Sequence, residues 1–429
     1  MAKAIFEVDR FEFDAKALQW AQQFEQVCYL QSNGYTDEYH SIESLLAVDA
    51  LDEFQATTHQ TFQKVEQFRA KYPNKWVLGF FGYDLKNEIE KLHTSFPNHL
   101  DFPDAYFFVP KTIIKFLGTS VEIESAHPTQ IFQAIETLVL EKKSYSTEAH
   151  TIQVKKRMSK EMYFKTFEKM MSHIKRGDIY EVNLCQEFYA ENTRLNPIAT
   201  YKRLNEISPT PFSTFFKLND KYIISASPER FLAKKEQTLI SQPIKGTAPR
   251  GKHKEEDEDI KNKLQNNPKE IAENVMIVDL VRNDMTQSAE PGSVVAYKKL
   301  EVHTFKQVHQ LVSTITGLKR SDLSDIQAIK NLFPPGSMTG APKISAMHLC
   351  DLYENSRRGI YSGTVGYFAP NGDFDFNVII RTILYNRTKE YLSFHTGGAL
   401  TYNAQVEDEY NECLLKASAI TAALKSEIL

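Results

Sequence analysis

The stretch YSGTVGYFAPNGDFDFNVIIRTILYNRTKEYLSF, residues 361–394, decides the fold class. Residues 361–369 read as a strand. Asn371-Gly372 is a two-residue turn whose backbone twist suits an antiparallel hairpin. Residues 374–385 read as the return strand, Asn386-Arg387 as a second turn, and residues 390–394 as a third strand. Hairpins rather than helical crossovers join these strands. That argues for antiparallel sheet and against a doubly wound parallel fold.

Working outward, residues 404–428 read as a closing helix. Residues 162–176 form another, with Phe164, Phe167, Met171 and Ile174 on its apolar face and Gly177-Asp178 ending it. Residues 269–281 also read as a helix, and 179–189, 222–227 and 231–233 as strands. Toward the N-terminus, helices are expected at 17–27, 57–71 and 131–141, an apolar strand at 75–83, and a hairpin of 112–116 with 120–123 around Leu117-Gly118. The polar stretch 142–160 reads as a linker, so the chain divides into 1–150 and 155–429. The charged run 252–259, KHKEEDED, reads as a solvated loop or helix start. The mixture is α+β.

The chain has 429 residues, 42% hydrophobic and 25% charged, which is a globular composition. Its net charge of −4 argues against a nucleic-acid or anionic-membrane partner. No apolar run reaches the length of a membrane span, and the N-terminus lacks a signal-peptide core, so a cytoplasmic protein is expected. The cysteines at 28, 185, 350 and 413 are scattered, without zinc spacing, and read as reduced thiols.

Candidate chemistry starts at SQPIKGTAPRG, residues 241–251. Pro243 and Gly246 place Lys245 at a tight turn beside apolar residues. Desolvation there would lower its pKa, and only the neutral amine is a nucleophile. The alternative is a solvated turn lysine. Glu270 and Glu273 lie three apart on one helix, and Glu409 and Glu412 repeat that spacing on another. Each pair shares a helix face, and four such oxygen donors could hold Mg²⁺. The alternative is exposed helix carboxylates, with Glu412 bridging Lys416. Glu229, in Ser227-Pro228-Glu229-Arg230, follows an apolar strand and could be a buried acid or simply Arg230's partner. Gly397-Gly398 would let a ligand approach main-chain N–H groups. The loop 334–343 leads into a helix, but its glycine spacing is not that of a P-loop.

These motifs, with AENVMIVDLVRND (272–284), VHQLVSTITG (308–317), PPGSMTGAPK (334–343), IIRT (379–382) and EDEYNECLLKA (407–417), occur in an order that resembles the anthranilate synthase component I family of chorismate-utilising enzymes. PIKGT followed by PRG is similar to the aminodeoxychorismate synthase component I branch. Anthranilate synthases have alanine where Lys245 stands. The resemblance implies two antiparallel sheets packed face to face between outer helices, in α/β/β/α layers. It also implies that both halves of the chain enter both sheets, so 1–150 need not be an independent domain.

By the same resemblance, Lys245 attacks C2 of chorismate while Glu229, as general acid, expels the C4 hydroxyl. Ammonia then attacks C4 and gives 4-amino-4-deoxychorismate, for 4-aminobenzoate and folate synthesis. Glu273 and Glu412 would ligate Mg²⁺, with Glu270 and Glu409 acting through water or hydrogen bonds. Arg381, Lys416, Tyr361 and the backbone of Gly397, Gly398 and Ala399 would bind substrate carboxylates. Gly246 and Thr247 would bind ring substituents, and His309 is placed near the ring or, alternatively, as a satisfied histidine on a helix. No cysteine has the setting of a glutaminase nucleophile, so a separate glutamine amidotransferase subunit is expected to supply ammonia. Glu181 departs from the family, which has lysine there in relatives that add water and often glutamine in relatives that add ammonia. The LLES element of a tryptophan feedback site has no match in correct order, Glu43-Ser44-Leu45-Leu46-Ala47 being the nearest text. The competing readings are anthranilate synthase component I, isochorismate or salicylate synthase, and a non-catalytic chorismate-binding regulatory subunit.

Overall fold

Two antiparallel sheets grow out of one pair of long strands. The computed structural model describes residues 2–39, 42–56, 59–140 and 152–429. Strands Ser44–Gln55 and Ala105–Leu117 pair along most of their length, with a register shift between Ala50 and Asp52. Their far portions run into the first sheet, ordered Ala2–Glu7, Ser120–Ser125, Ala105–Leu117, Ser44–Gln55, Gln26–Gln31, Phe212–Leu218, Lys221–Ser227, Thr382–Asn386, Tyr391–Leu400, Glu181–Ala190 and Ile152–Lys156. The start of Ala105–Leu117 leads into the second sheet, ordered Val77–Phe81, Thr364–Phe368, Phe374–Asn377, Arg230–Lys235, Thr238–Gln242, Val308–Leu318 and Val295–Thr304.

The sheets face each other across an aromatic core. Phe216 of the first meets Phe80 of the second edge-on, ring centroids 5.5 Å apart. Such rings bury large apolar areas, and their edge-to-face packing adds to that. Helices Arg10–Ala21, Pro128–Glu136, Pro197–Ile207 and Val406–Leu424 cover the outside of the first sheet with Phe13, Leu18, Ile135, Tyr201 and Ile420. Helices Thr61–Ala70, Pro268–Thr286 and Asp325–Leu332 cover the second with Phe62, Val65, Ile277, Val281 and Ile329. Lys160–Arg176 and Lys343–Tyr353 pack over one end of Glu181–Ala190. This is the expected α+β fold in α/β/β/α layers.

Several elements differ in extent from the sequence reading. The helix expected at 17–27 runs over Arg10–Ala21, because the Asp9 carboxylate accepts the N–H groups of Phe11 and Glu12 as an N-cap. Gln26 onward is strand. The closing helix stops at Leu424, and Ser426–Ile428 pairs parallel with Ile152–Val154. Part of the expected linker is therefore strand, while 142–151 lies outside the described residues, as do 57, 58 and 141 at the ends of two expected helices. The charged run opens helix Lys254–Gln265, but Asp257 within it is buried.

The most consequential difference is in the meander. The single return strand expected at 374–385 is two strands, Phe374–Asn377 in the second sheet and Thr382–Asn386 in the first. Residues 378–381 cross between the sheets, and Arg381 turns the corner with φ +50°. Residues 227–230 make the parallel crossing from Lys221–Ser227 to Arg230–Lys235, and Val378 N–H donates to Glu229 O at 3.0 Å. Two adjacent crossings open a gap in which backbone leaves sheet pairing.

Candidate active site

Glu229 and Arg381 stand on those two crossings. Glu229 is 4% exposed, and burial pushes its carboxyl up to about 7 against the Ile244 backbone and the charges of Lys245 and Arg381. The Arg381 guanidinium makes no hydrogen bond or ion pair to any described residue, while its backbone carbonyl accepts from Ala226 N–H at 3.1 Å. Burial lowers its pKa to about 10, with the Glu229 charge opposing. A half-buried guanidinium without a partner is a site for an anion.

Lys245 enters from the edge of the second sheet. Pro243 interrupts the run from Thr238–Gln242 to Ile244–Pro249, and both pieces pair with Val308–Leu318. Gly246 follows at φ +91°, where a Cβ would lie 2.9 Å from Glu270 Oε2 and 3.1 Å from Leu311 Cδ1. Only glycine suits both that conformation and that contact. Lys245 Nζ donates to Glu181 Oε1 at 2.5 Å. Their side chains are 10% and 1% exposed. Burial acts to lower the Lys245 pKa, but the Glu181 carboxylate, helped by Glu273 and Glu229, outweighs it and raises the pKa above the ordinary value. The expected depression is thus reversed, and Lys245 rests as an ammonium ion. Glu181 Oε2 is buried without a hydrogen-bond partner.

The two glutamate pairs meet at the same place. Asn267 caps helix Pro268–Thr286, which presents Glu270 and Glu273. Helix Val406–Leu424 presents Glu409 and Glu412. Lys269 Nζ lies 3.9 Å from Glu273 Oε1 and 3.6 Å from Glu409 Oε1. Burial first, then neighbouring carboxylates, pushes Glu273 and Glu409 up to about 7 and raises Glu270 as well. Burial acts the same way on Glu412, but Lys416 at 2.7 Å outweighs it and holds that carboxyl low. Lys416 also donates to Gly397 O at 2.9 Å. A Cβ on Gly398 would lie 2.7 Å from Glu409 Oε2 and 4.0 Å from Glu412 Oε1.

Among the described residues no three His, Cys, Asp or Glu side chains converge closely enough to hold a metal ion. The donor set nevertheless fits a hard divalent cation. It is all oxygen, and burial raises the carboxyl groups of Glu270, Glu273 and Glu409 above their ordinary range. Glu270, Glu273, Glu409 and Glu412 are the residues that would hold Mg²⁺.

Gly397, Gly398 and Ala399 pair with Cys185, Leu184 and Asn183 of the strand that starts at Glu181. Tyr361 is buried, with its hydroxyl 3.6 Å from Cys185 Sγ and its ring stacked on His395 at 4.9 Å. Thr247 is exposed beside Lys245 and accepts from Gln310 Nε2 at 3.3 Å. His309 lies on strand Val308–Leu318 rather than on a helix. Both its nitrogens are engaged, Nε2 with Asp257 Oδ1 at 2.8 Å and Nδ1 with Thr304 Oγ1 at 3.0 Å. It therefore has no free nitrogen for a ligand. Arg230 turns away from Glu229 to Asp37 and Asp375.

Lys269 and Arg358 escaped the sequence reading. Lys269's adjacency to Glu270 was the available signal. Arg358, buried, ties Glu354 Oε1 to the carbonyls of Met338 and Asn183, and so holds the 334–343 loop against the site strand. No spacing in the sequence marks that link.

A family model described as chorismate binding enzyme matches residues 18–422. The chain is 40% identical over 264 residues to a chloroplastic aminodeoxychorismate synthase of Arabidopsis thaliana, covering 61% of this chain and 28% of that protein. It is 35% identical over 355 residues to an aminodeoxychorismate synthase component 1 of Klebsiella aerogenes, covering 82% and 77%. The crystal structure of anthranilate synthase component I from Streptococcus pneumoniae TIGR4 superposes with a TM-score of 0.77 at 25% identity, covering 90% of this chain and 94% of that one. The chain thus spans less than a third of the Arabidopsis relative's length but most of the Klebsiella one's.

Proposed function

Because the chain belongs to the chorismate binding enzyme family, we propose that it aminates chorismate at C4 to form 4-amino-4-deoxychorismate. The observation that carries this reading is the grouping of Lys245 and Arg381, both half-buried, around the buried Glu229. It combines an amine, a carboxyl group with a pKa of about 7, and an unpartnered guanidinium. Arg381 binds a substrate carboxylate. Glu229, protonated for a large fraction of the time near neutral pH, gives its proton to the departing C4 hydroxyl. Lys245 attacks C2, the two conjugated ring double bonds shift, and water leaves. Ammonia then adds at C4 and the lysine departs from C2. Mg²⁺ held by the four glutamates would supply positive charge for a substrate carboxylate. Gly397 to Ala399 and Tyr361 wall the ring, and Lys416 orients Glu412.

Ammonia is assigned to a glutamine amidotransferase partner, a role that the four free, buried cysteines do not supply. A cytoplasmic setting belongs to the same proposal. Among the described residues, no helix is long and apolar enough to cross a membrane.

One observation favours a second reading. Lys245 rests charged, and a lysine that stayed charged would only bind substrate, leaving ammonia to attack C2 as in anthranilate formation. Product analysis separates the two. The protein, incubated with chorismate, Mg²⁺ and ammonium salt, is expected to yield an amine that 4-aminobenzoate lyase converts to 4-aminobenzoate. Lys245→Ala is expected to abolish that product while chorismate still binds. Anthranilate from the unmodified protein would overturn amination at C4.

A further inference from the structure

We propose that Glu181 is the base that takes the proton from Lys245 Nζ and returns it at the end of the cycle. This rests on the reading of Lys245 as nucleophile. An ammonium ion has no lone pair with which to attack carbon, so a buried, charged Lys245 needs an acceptor within the site. Glu181 Oε1 is already hydrogen-bonded to it at 2.5 Å. The backbone that carries the carboxylate is closely held. Glu181 pairs with Ala341, Tyr180 N–H donates to Ala341 O at 2.7 Å, and Gly340 approaches so closely that a Cβ there would lie 2.2 Å from Glu181 O. Its other oxygen is buried and has no hydrogen-bond partner, so Lys245 is the one donor on this carboxylate among the described residues.

The other charges around Lys245 do not take this part. Glu229 lies on the strand crossing and has its own proton to give to the leaving hydroxyl. Glu270, Glu273 and Glu412 lie toward the cation site, and none makes a hydrogen bond or ion pair with Lys245. Arg381 faces Glu229.

The protons balance. Lys245–NH₃⁺ and Glu181–COO⁻ become Lys245–NH₂ and Glu181–COOH. The amine lone pair bonds to C2, the two conjugated ring double bonds shift from C1–C2 and C5–C6 to C1–C6 and C4–C5, and the C4–O bond breaks as Glu229 protonates the oxygen to water. Ammonia bonds to C4, both double bonds shift back, and the C2–N bond breaks to release neutral Lys245. Glu229 removes the extra proton from the new C4–NH₃⁺, and Glu181 gives its proton back to Lys245.

Acylation of Lys245 by acetic anhydride, followed by peptide mass spectrometry from neutral to alkaline pH, tests the pair without any turnover. In Glu181→Gln the free amine is expected to appear at lower pH, with reactivity near neutrality raised about tenfold or more. An unchanged titration would overturn the proposal. Turnover with ammonium salt gives the second readout. In the unmodified protein the proton moves within the pair, so kcat shows no acid limb from Lys245. In Glu181→Gln the proton must go to solvent, and kcat is expected to rise about tenfold per pH unit at low pH until the amine is free. Glu181→Asp keeps a carboxylate and is expected to remove that limb again. A Glu181→Gln profile matching the unmodified one would overturn the role of base. If acid-quenched protein carried no ring adduct on Lys245, the nucleophile reading would fail instead, and the acylation titration would still report whether Glu181 governs the lysine's proton.

Discussion

At the scale of single residues, burial and pairing compete, and the winner differs between neighbours. Lys245 and Glu229 are both buried, but only Lys245 has an opposite charge within hydrogen-bonding distance, so pairing sets its charge while burial sets that of Glu229. The Glu229 carboxyl lies at about 7, above its ordinary 4.5. Its folded pKa is raised, so the protonated form favours the fold. Stability from this group is full below the unfolded value and declines as pH rises toward about 7. A shift of that size corresponds to about 3 kcal/mol. Glu229→Gln is therefore expected to melt higher than the unmodified protein at mildly alkaline pH, with the difference fading in acid. Its kcat is expected to fall by about 10²- to 10⁴-fold from loss of the proton donor. Thermal melts at several pH values, beside turnover, check both. A melting difference independent of pH would show that Glu229 does not titrate as a buried acid. The position of Lys245 was legible from Pro243 and Gly246, which are local. Its charge was not, because Glu181 is 64 residues away. Of the two readings of His309, the satisfied histidine is the one its hydrogen bonds match, and its partner Asp257 was not legible because it sits in a charged run that looks solvated.

At the scale of elements, glycines show which close approaches are structural and which belong to the site. A Cβ on Gly366 would lie 2.0 Å from Asp375 O and 2.8 Å from Phe376 Cα, both main chain of a paired strand that cannot move alone. Gly366→Ala is expected to cost about 3 kcal/mol in denaturant unfolding. A Cβ on Gly398 instead meets the carboxylate end of Glu409, which can swing away. Gly398→Ala is expected to stay within about 1 kcal/mol in stability. By displacing one of the four acidic groups it should weaken Mg²⁺ binding about tenfold in calorimetry. Equal destabilisation of the two variants would mean that Gly398 serves the sheet rather than the site. The pairing of helix carboxylates was legible from three-residue spacing. The sheet-switching corner at 378–381 was not. Val378, Ile379 and Ile380 favour strand, no glycine or proline marks the bend, and Arg381 takes its left-handed conformation because the crossing requires it.

At the scale of the whole molecule, the N-terminal region supplies one end of each sheet and joins the two through Ala105–Leu117, rather than forming a lobe beside them. Gln26–Gln31 lies against Phe212–Leu218, and Val77–Phe81 against Thr364–Phe368. Phe80 and Phe81 pack on Phe216 and Phe376, and Phe107 packs on Phe368. The resemblance carried this two-sheet arrangement before any pairing was known, whereas periodicity alone read the polar stretch 142–160 as a boundary. We propose that 155–429, although it holds every candidate site residue, does not fold alone. Without residues 1–150, the strands Phe212–Leu218 and Thr364–Phe368 each become an open edge, and open apolar edges pair with other chains. Phe216, Val365 and Phe368, all buried in the intact chain, would meet water, at about 1.5–3 kcal/mol for each side chain. That loss over several rings is comparable to the whole stability of a typical domain. Expressed alone, 155–429 is expected in the insoluble fraction, and co-expressed 1–150 is expected to return a soluble complex that binds chorismate. A monomeric 155–429 fragment with one cooperative unfolding transition and unaltered chorismate binding would show that the site half is self-sufficient and that residues 1–150 are an addition to it.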